Sequence, residues 1–271
     1  MSKLRTERQG GFLFLTLDDA ATRNALSPEM VNELRAAFEA ATADDGVRAV
    51  VLRGANGTFC AGGSMGSFQK SQQTGTSAGK PDPIAANNRR FGEFMTALAN
   101  FPKVLVVAVE GAAMGGGFGL ACVADVLLAR KDAKFALSET TLGLVPAQIA
   151  PFVVARIGQA ETRRLALSGE RIDATEALRI GLVNLVGADA TGLEAALVAV
   201  LGGIGRCAPG ANAATKKLIA QCAALPLAQV LDHASEMFAR QMRGEGGEGV
   251  AAFRDKRDAA WVEKLEQLPK P

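Results

Sequence analysis

Two glycine runs are the features of this sequence best suited to chemistry. One is Phe59-Cys60-Ala61-Gly62-Gly63-Ser64; the other is Gly111-Ala112-Ala113-Met114-Gly115-Gly116-Gly117-Phe118-Gly119. Each follows an apolar strand pattern, and the second opens a helical one. Glycine lets a ligand approach the backbone and frees N–H groups to point outward. A helix start adds unpaired donors and partial positive charge. Two such turns facing each other would clamp one developing oxyanion, and losing one donor of such a pair raises a barrier by about 2.7–4 kcal/mol. Tight helix–strand packing is the plainer reading of the same glycines. Neither run is a nucleotide motif: Phe118 or Leu120 stands where G-x-G-x-x-G needs glycine, and no Lys-Ser/Thr ending follows.

A second chemistry is written in Gly62-Gly63-Ser64-Met65-Gly66, which fits the G-x-S-x-G nucleophile elbow of hydrolases. His233, the only histidine, follows the serine, with Asp125, Asp173 and Asp189 between them. The context argues against it. An elbow needs a strand directly before the serine and a helix directly after, whereas residues 54–58 and a polar stretch from Ser67 intervene. His233 also sits in a helical pattern with Val230, Leu231, Ala234, Met237 and Phe238, where a structural histidine is commoner. Cys60, Cys122, Cys207 and Cys222 form no C-x-x-C pair, so no metal or redox site is expected. Small apolar neighbours predict that Cys60 and Cys122 are buried thiols, and reduced thiols point to a cytoplasmic location.

The elements that position these runs alternate. Phe12–Leu17 reads as a strand, and Pro28 opens a helix to about Ala43 with Met30, Leu34, Ala37, Phe38 and Ala41 at helical spacing. Strands follow at Val47–Arg53, Lys103–Val109, Asp125–Ala129 and, briefly, Lys134–Leu137. Ser67–Pro83 is nearly free of apolar residues and predicts a long mobile loop, a candidate lid. Ile84–Phe101 is helical. From about Ala147 the pattern is almost all helix, with a stretch at Leu227–Arg243, a break at Gly244–Gly247 and a terminal helix over Glu248–Leu265. The expectation is an α/β architecture, with a core at residues 1–200 and a C-terminal helical region at 201–271.

Composition narrows the function classes. With 48% hydrophobic and 21% charged residues the chain is a globular protein rather than a disordered one. A net charge of only +2 gives no basic excess for a nucleic-acid partner. The N-terminus has no signal-peptide core, and no apolar run is long enough for a membrane partner.

Taken in order, the motifs resemble the enoyl-CoA hydratase/isomerase (crotonase) family. Asn24-Ala25-Leu26 is similar to its first CoA-binding turn, Phe59-Cys60-Ala61-Gly62-Gly63 to its F-x-A-G-x segment, and Gly115-Gly116-Gly117 to its glycine-rich helix start. Ser138-Glu139 with Gly143-Leu144-Val145-Pro146 resembles its second acidic motif. Gly181-Leu182-Val183 and Phe253-Arg254-Asp255-Lys256-Arg257 complete the series, which covers nearly the whole chain. The resemblance implies a crotonase-like spiral of ββα units with a C-terminal helical trimerisation region, often a dimer of trimers. It implies an acyl-CoA substrate and no separate cofactor, coenzyme A being part of the substrate. The backbone amides of Gly63 and Gly116 would hold the thioester oxygen and Glu139 would handle protons. Arg23, Ala25, Leu26, Ala61, Gly62 and Ser64 would line the ligand, and Phe253 and Lys256 would help enclose CoA across a subunit boundary.

Two departures bear on the reaction. Many hydratases of the family carry a first glutamate two residues after the glycine triplet, where this chain has Gly119, and an Asp where it has Ser64. A lone Glu139 suits an isomerase. A carboxyl among Phe135, Leu137, Leu142 and Leu144 would have its pKa raised by desolvation, as a general base needs. Yet residues 144–154, from Leu144 to Val154, resemble the P-A-x-I-x-P-F-V segment of hydratases acting on glutaconyl-type thioesters. Such a substrate bears a second carboxylate, for which Arg89 and Arg90 are candidates, and Gln148 is a candidate to orient water. The expected activity is therefore hydration of the 2,3 double bond of a branched or glutaconyl-type acyl-CoA. Isomerisation is the alternative, and a non-catalytic acyl-CoA scaffold the alternative of a different class.

Overall fold

The computed structural model describes residues 2–75, 79, 82–265 and 267–270. The chain opens with a hairpin, β1 (Leu4–Gln9) on β2 (Phe12–Leu17), turned at Gly10 with φ +56°. β1 was not expected. Its sequence, Leu-Arg-Thr-Glu-Arg-Gln, is polar because it is a sheet edge, where charged side chains discourage further pairing. In α1 (Pro28–Ala43) the Ser27 hydroxyl accepts from the Met30 N–H, and Met30, Leu34, Phe38 and Ala41 are buried.

The large sheet runs β1-β2-β3-β4-β6-β9 and is parallel except for β1. Its members are β3 (Ala49–Gly54), β4 (Val104–Val109), β6 (Val126–Arg130) and β9 (Leu185–Gly187). Every residue of β3 and β4 is buried, which explains the apolar runs Ala49–Leu52 and Val104–Val109; Arg53 is the one charged residue among them. A small sheet holds β5 (Ala112–Met114), β7 (Lys134–Ala136) and β8 (Arg171–Asp173).

The chain visits the two sheets in turn. β4 leads to β5 and then α4 (Gly116–Cys122). β6 leads to β7, a 3-10 turn (Glu139–Leu142) and α5 (Ala150–Ser168). β3 leads to an extended segment bridged at Cys60 to Ala113, then to α2 (Met65–Gln72) and α3 (Pro83–Ala99). Three consecutive turns of a ββα spiral therefore lie in register, with Cys60 opposite Ala113 and Ala113 opposite Phe135. Gly63 and Gly116 each stand three residues past these positions and Glu139 four past its own. Their strand-to-helix junctions are thus brought side by side.

The remaining helices are α6 (Ala174–Arg179), α7 (Ala190–Arg206), α8 (Pro209–Ala224), α9 (Leu227–Arg243) and α10 (Glu245–Arg254). α7 covers the outer face of the large sheet, where Leu193, Leu197 and Leu201 pack with Phe12, Phe14 and Val51. It runs through residue 200, so the division expected there falls inside a helix, and the break comes at Cys207–Ala208.

Two expectations need correction. The stretch read as a loop from Ser67 begins as helix α2, capped by Ser64, whose hydroxyl accepts from Ser67 N–H at 3.4 Å. None of its residues is buried, which is why its sequence looks like a loop. Residues 76–78, 80 and 81 of the supposed lid lie outside the described residues. The terminal helix read over Glu248–Leu265 is instead α10, which starts inside the glycine run and ends at Arg254. Beyond it the chain returns to the sheet. Arg48, buried on β3's approach, donates to the Gly205 carbonyl at 3.0 Å and lies 3.8 Å from the Glu263 carboxylate. Arg53 donates to the Pro269 and Lys270 carbonyls at 2.8 and 2.9 Å. Satisfying two buried guanidiniums outweighs the helix propensity of the tail.

Candidate active site

The first turn is built by close backbone approach. Cys60 N–H donates to the Ala112 carbonyl at 2.8 Å, Met114 N–H to the Cys60 carbonyl at 3.0 Å, and Leu26 N–H to the Gly62 carbonyl at 2.8 Å. Gly62 has φ +99°, and a Cβ there would stand 2.9 Å from the Met114 carbonyl oxygen, so only glycine serves. The Cys60 sulfur lies beneath the turn and accepts from Gly62 N–H at 3.4 Å. Burial pushes this thiol up to about 12, which leaves it a neutral packing group rather than a nucleophile.

Asn24 ties this turn to its neighbours. It is fully buried at φ +59°, its Oδ1 accepts from Asp19 N–H at 2.8 Å, and its Nδ2 donates to the Ala55 and Thr58 carbonyls at 3.3 and 2.9 Å. Asn24→Ala strands these three groups and keeps the left-handed backbone. It is expected to cost about 2–4 kcal/mol of stability, read by denaturant unfolding.

The second turn is Gly115, with φ +49°, whose N–H donates to the Ala136 carbonyl at 2.9 Å. It aims the first amides of α4, which lack intrahelical acceptors, into the same region. A Cβ on Gly116 would stand 4.0 Å from the Gly63 nitrogen, 2.9 Å from Leu26 Cδ1 and 3.8 Å from Phe91 Cζ. Since a Cβ lies about 2.5 Å from its own nitrogen, the two amide nitrogens are no more than about 6.5 Å apart. Two donors sharing one oxygen are separated by up to about 6 Å, and the bound leaves room for that arrangement. Among the described residues neither amide donates to a protein acceptor.

Glu139 begins the 3-10 turn after β7. A Cβ on Gly115 would stand 2.9 Å from its Oε1, so the carboxylate rests against the glycine that precedes the Gly116 amide. Its Oε2 is buried with no protein partner among the described residues. Burial raises this carboxyl above its ordinary value, opposed only by its own backbone N–H. Of the apolar neighbours expected from sequence, Phe135 and Leu137 are buried, while Leu142 and Leu144 are exposed. The arrangement offers two hydrogen-bond donors for a developing oxyanion and one acid–base group beside them.

The other sequence candidates divide. Ala25 and Leu26 are buried under the first turn, and Ala61 is partly exposed there, its N–H on the Arg23 carbonyl at 3.0 Å. The Arg23 side chain is exposed, and Ser64 caps α2. Gln148 lies against α3, donating to Asn88 Oδ1 at 2.9 Å. Phe253 and Lys256 sit at the end of α10, which packs on α9, and the single chain does not bring them to Glu139. His233 is on α9, which packs mainly on α8 and α10, so nothing joins it to the Gly62–Gly66 turn as an elbow requires. Sequence reasoning missed Phe91 and Phe68, whose rings meet Gly116 and Gly63. Both are ordinary helix residues until the helices are placed.

At Gly119 a Cβ would overlap Ile149 Cγ2 and stand 2.8 Å from Ile149 Cβ. The space a side chain would need is thus filled by the apolar core. Gly119→Ala is expected to cost about 1–3 kcal/mol by overpacking. Its combination with Ile149→Ala, which removes the Cγ2 methyl that a Cβ at residue 119 would overlap, should cost less than the sum of the two, as a double-mutant cycle of unfolding free energies would measure.

The Enoyl-CoA hydratase/isomerase family model matches residues 7–264. The chain is 32% identical over 259 residues to 2,3-dehydroadipyl-CoA hydratase of Escherichia coli, spanning 95% of this chain and 97% of that protein. Among solved structures it is similar to an enoyl-CoA hydratase/isomerase from Marinobacter aquaeolei, at 45% identity and TM-score 0.93, over 97% of this chain and 100% of that one. It is similar also to AtuE from Pseudomonas aeruginosa, at 47% identity and TM-score 0.91, over 96% of this chain and 100% of that one.

Proposed function

The chain belongs to the enoyl-CoA hydratase/isomerase family and is an enzyme, and on that premise we propose that it adds water across the 2,3 double bond of a branched or glutaconyl-type acyl-CoA thioester. The convergence of the Gly63 amide, the Gly116 amide and the Glu139 carboxylate on one spot carries this reading. The thioester oxygen accepts from both amides, which draws electron density from C3. Water adds its oxygen to C3 as Glu139 takes its proton. The enolate then collapses, and Glu139 returns that proton to C2. One carboxylate serves both halves, and the net change is the addition of one water. No separate cofactor is used.

The glutaconyl-type substrate, of which isohexenylglutaconyl-CoA is an example, is supported by the segment from Leu144 to Val154. It is supported too by a relative named for 2,3-dehydroadipyl-CoA, an acyl group that ends in a carboxylate. Isomerisation is the second reading, favoured by the apolar packing at Gly119, which leaves Glu139 without a second acid there. Glu139 would then carry one proton between C4 and C2. Mass detection of products separates the two: a gain of one water supports hydration, and an unchanged mass with a moved double bond overturns it.

The proposed assembly is a cytoplasmic homotrimer or dimer of trimers: α9 leaves Leu227, Leu231 and Phe238 exposed, an apolar face that a second copy would cover. Phe253, 88% exposed, would with Lys256 meet the CoA of a neighbouring copy, and Arg23 would meet a CoA phosphate. Light scattering should give three or six times 28.1 kDa, and a monomer would overturn this assembly.

A further inference from the structure

We propose that Arg89, with Gln148 and Asn88, forms a clamp for a carboxylate carried by the acyl chain; this rests on the acyl-CoA reading above. α3 places Asn88, Phe91, Gly92 and Met95 along one face, at i, i+3, i+4 and i+7. That face reaches the site through Phe91, whose Cζ is 3.8 Å from the Cβ position of Gly116, while Met95 anchors it in the core, its Cε 3.5 Å from the Cβ position of Gly119. Gly92 makes a notch in it. A Cβ there would overlap Gln148 Oε1, stand 2.8 Å from Gln148 Cδ and lie 3.3 Å from Arg89 Nη1. Gln148 Nε2 donates to Asn88 Oδ1 at 2.9 Å. Three polar side chains therefore meet at one notch, next in sequence to the ring that touches Gly116.

Their spare hydrogen-bonding groups match a carboxylate. Gln148 Nε2 keeps one N–H, Asn88 Nδ2 keeps two, and Arg89 presents a planar fork. Among the described residues Arg89 has no carboxylate within 4 Å and no hydrogen-bond partner for its guanidinium. Arg90, its equal in the sequence, is engaged elsewhere: it donates to Asn87 Oδ1, and its carbonyl accepts from Arg35 Nη2 at 3.2 Å. The ligand class that follows is a short acyl thioester with a carboxylate on its far end or on a branch. A guanidinium–carboxylate pair strengthens as the filled cleft excludes water, so the gain comes only with such a ligand.

The test uses butyryl-CoA and glutaryl-CoA, which differ by one carboxyl group and cannot be hydrated, so it reads the clamp without turnover. Calorimetric Kd values for the wild-type protein should favour glutaryl-CoA by about tenfold or more. Arg89→Leu should bring that ratio close to one, and Arg89→Lys should leave it between, since a point charge remains without the fork. Gln148→Leu should lower it in part. A wild-type ratio near one, or a ratio that Arg89→Leu leaves unchanged, overturns the clamp. Failure of the hydratase reading would show instead as no mass gain on any enoyl thioester while the glutaryl preference stands.

Discussion

Glu139→Gln is expected to lower kcat by about 10²–10⁴-fold, the range for loss of a positioned general base. The amide has the shape of the carboxyl group but cannot take a proton from water or return it to C2. The fold should be untouched, because Glu139 Oε2 makes no protein hydrogen bond among the described residues that the change would break. The pH dependence has a definite sign. Burial raises the Glu139 pKa from the ordinary 4.5, so the folded state binds its proton more tightly than the unfolded state does. Stability therefore falls as pH rises from about 4.5 through the raised folded value, and the ionised enzyme carries that penalty at neutral pH. The Gln variant escapes it, so its unfolding midpoint at neutral pH should equal or exceed that of wild type. The ascending limb of kcat/KM should turn above 4.5 in the wild type and vanish in the variant. Retention of more than about a tenth of wild-type kcat would remove Glu139 from the mechanism.

Gly116→Ala is expected to lower kcat/KM by about 10²–10³-fold, the effect of losing one oxyanion donor. The new methyl would stand 4.0 Å from the Gly63 nitrogen, in the space where the thioester oxygen must meet both amides. The backbone accepts it, since Gly116 is not among the glycines with positive φ. The closest obstacle is Leu26 Cδ1 at 2.9 Å, the far end of a side chain that can turn aside. Stability should thus change by about 1 kcal/mol or less, which separates a blocked site from a damaged fold. The neighbouring glycines give no such separation. Gly115→Ala would be strained at φ +49° and would press on Glu139, and Gly63→Ala would strike the Phe68 ring. A Gly116→Ala enzyme with more than half of wild-type kcat/KM would show that the carbonyl oxygen is not held at this amide.

Much of the proposed site was readable because the chemistry proposed for it rests on main-chain amides. A donor made of backbone needs glycine where side chains would obstruct, and glycine is visible in a sequence. Gly62 against the Met114 carbonyl and Gly117 against Cys60 Cβ are both close approaches of this kind. The central strands were readable for a related reason: residues buried on both faces leave no polar interruption from Ala49 to Leu52 or from Val104 to Val109. What escaped was exposed or long-range. β1 and α2 bury little, so hydrophobic period said nothing of them. The tail beyond Arg254 brings the Trp261 carbonyl to Arg48 and the Pro269 and Lys270 carbonyls to Arg53, and the need of these guanidiniums for partners arises only once both are buried.

By itself the amino-acid sequence determined the local units: strands by unbroken apolar runs, helices by caps and spacing, and two glycine turns able to expose amides. Only the tertiary structure decided that these turns meet. The register of Cys60 on Ala113 and of Ala113 on Phe135 sets three successive spiral turns side by side, and so brings Gly63, Gly116 and Glu139 to one place. Likewise, Arg89 and Arg90 are equivalent in the sequence. The notch at Gly92 turns one of them toward Gln148, while the other is held by Asn87. The reason is the same in both cases: pairing across sheets and packing between helices join residues far apart in the chain, and local propensity carries no record of them.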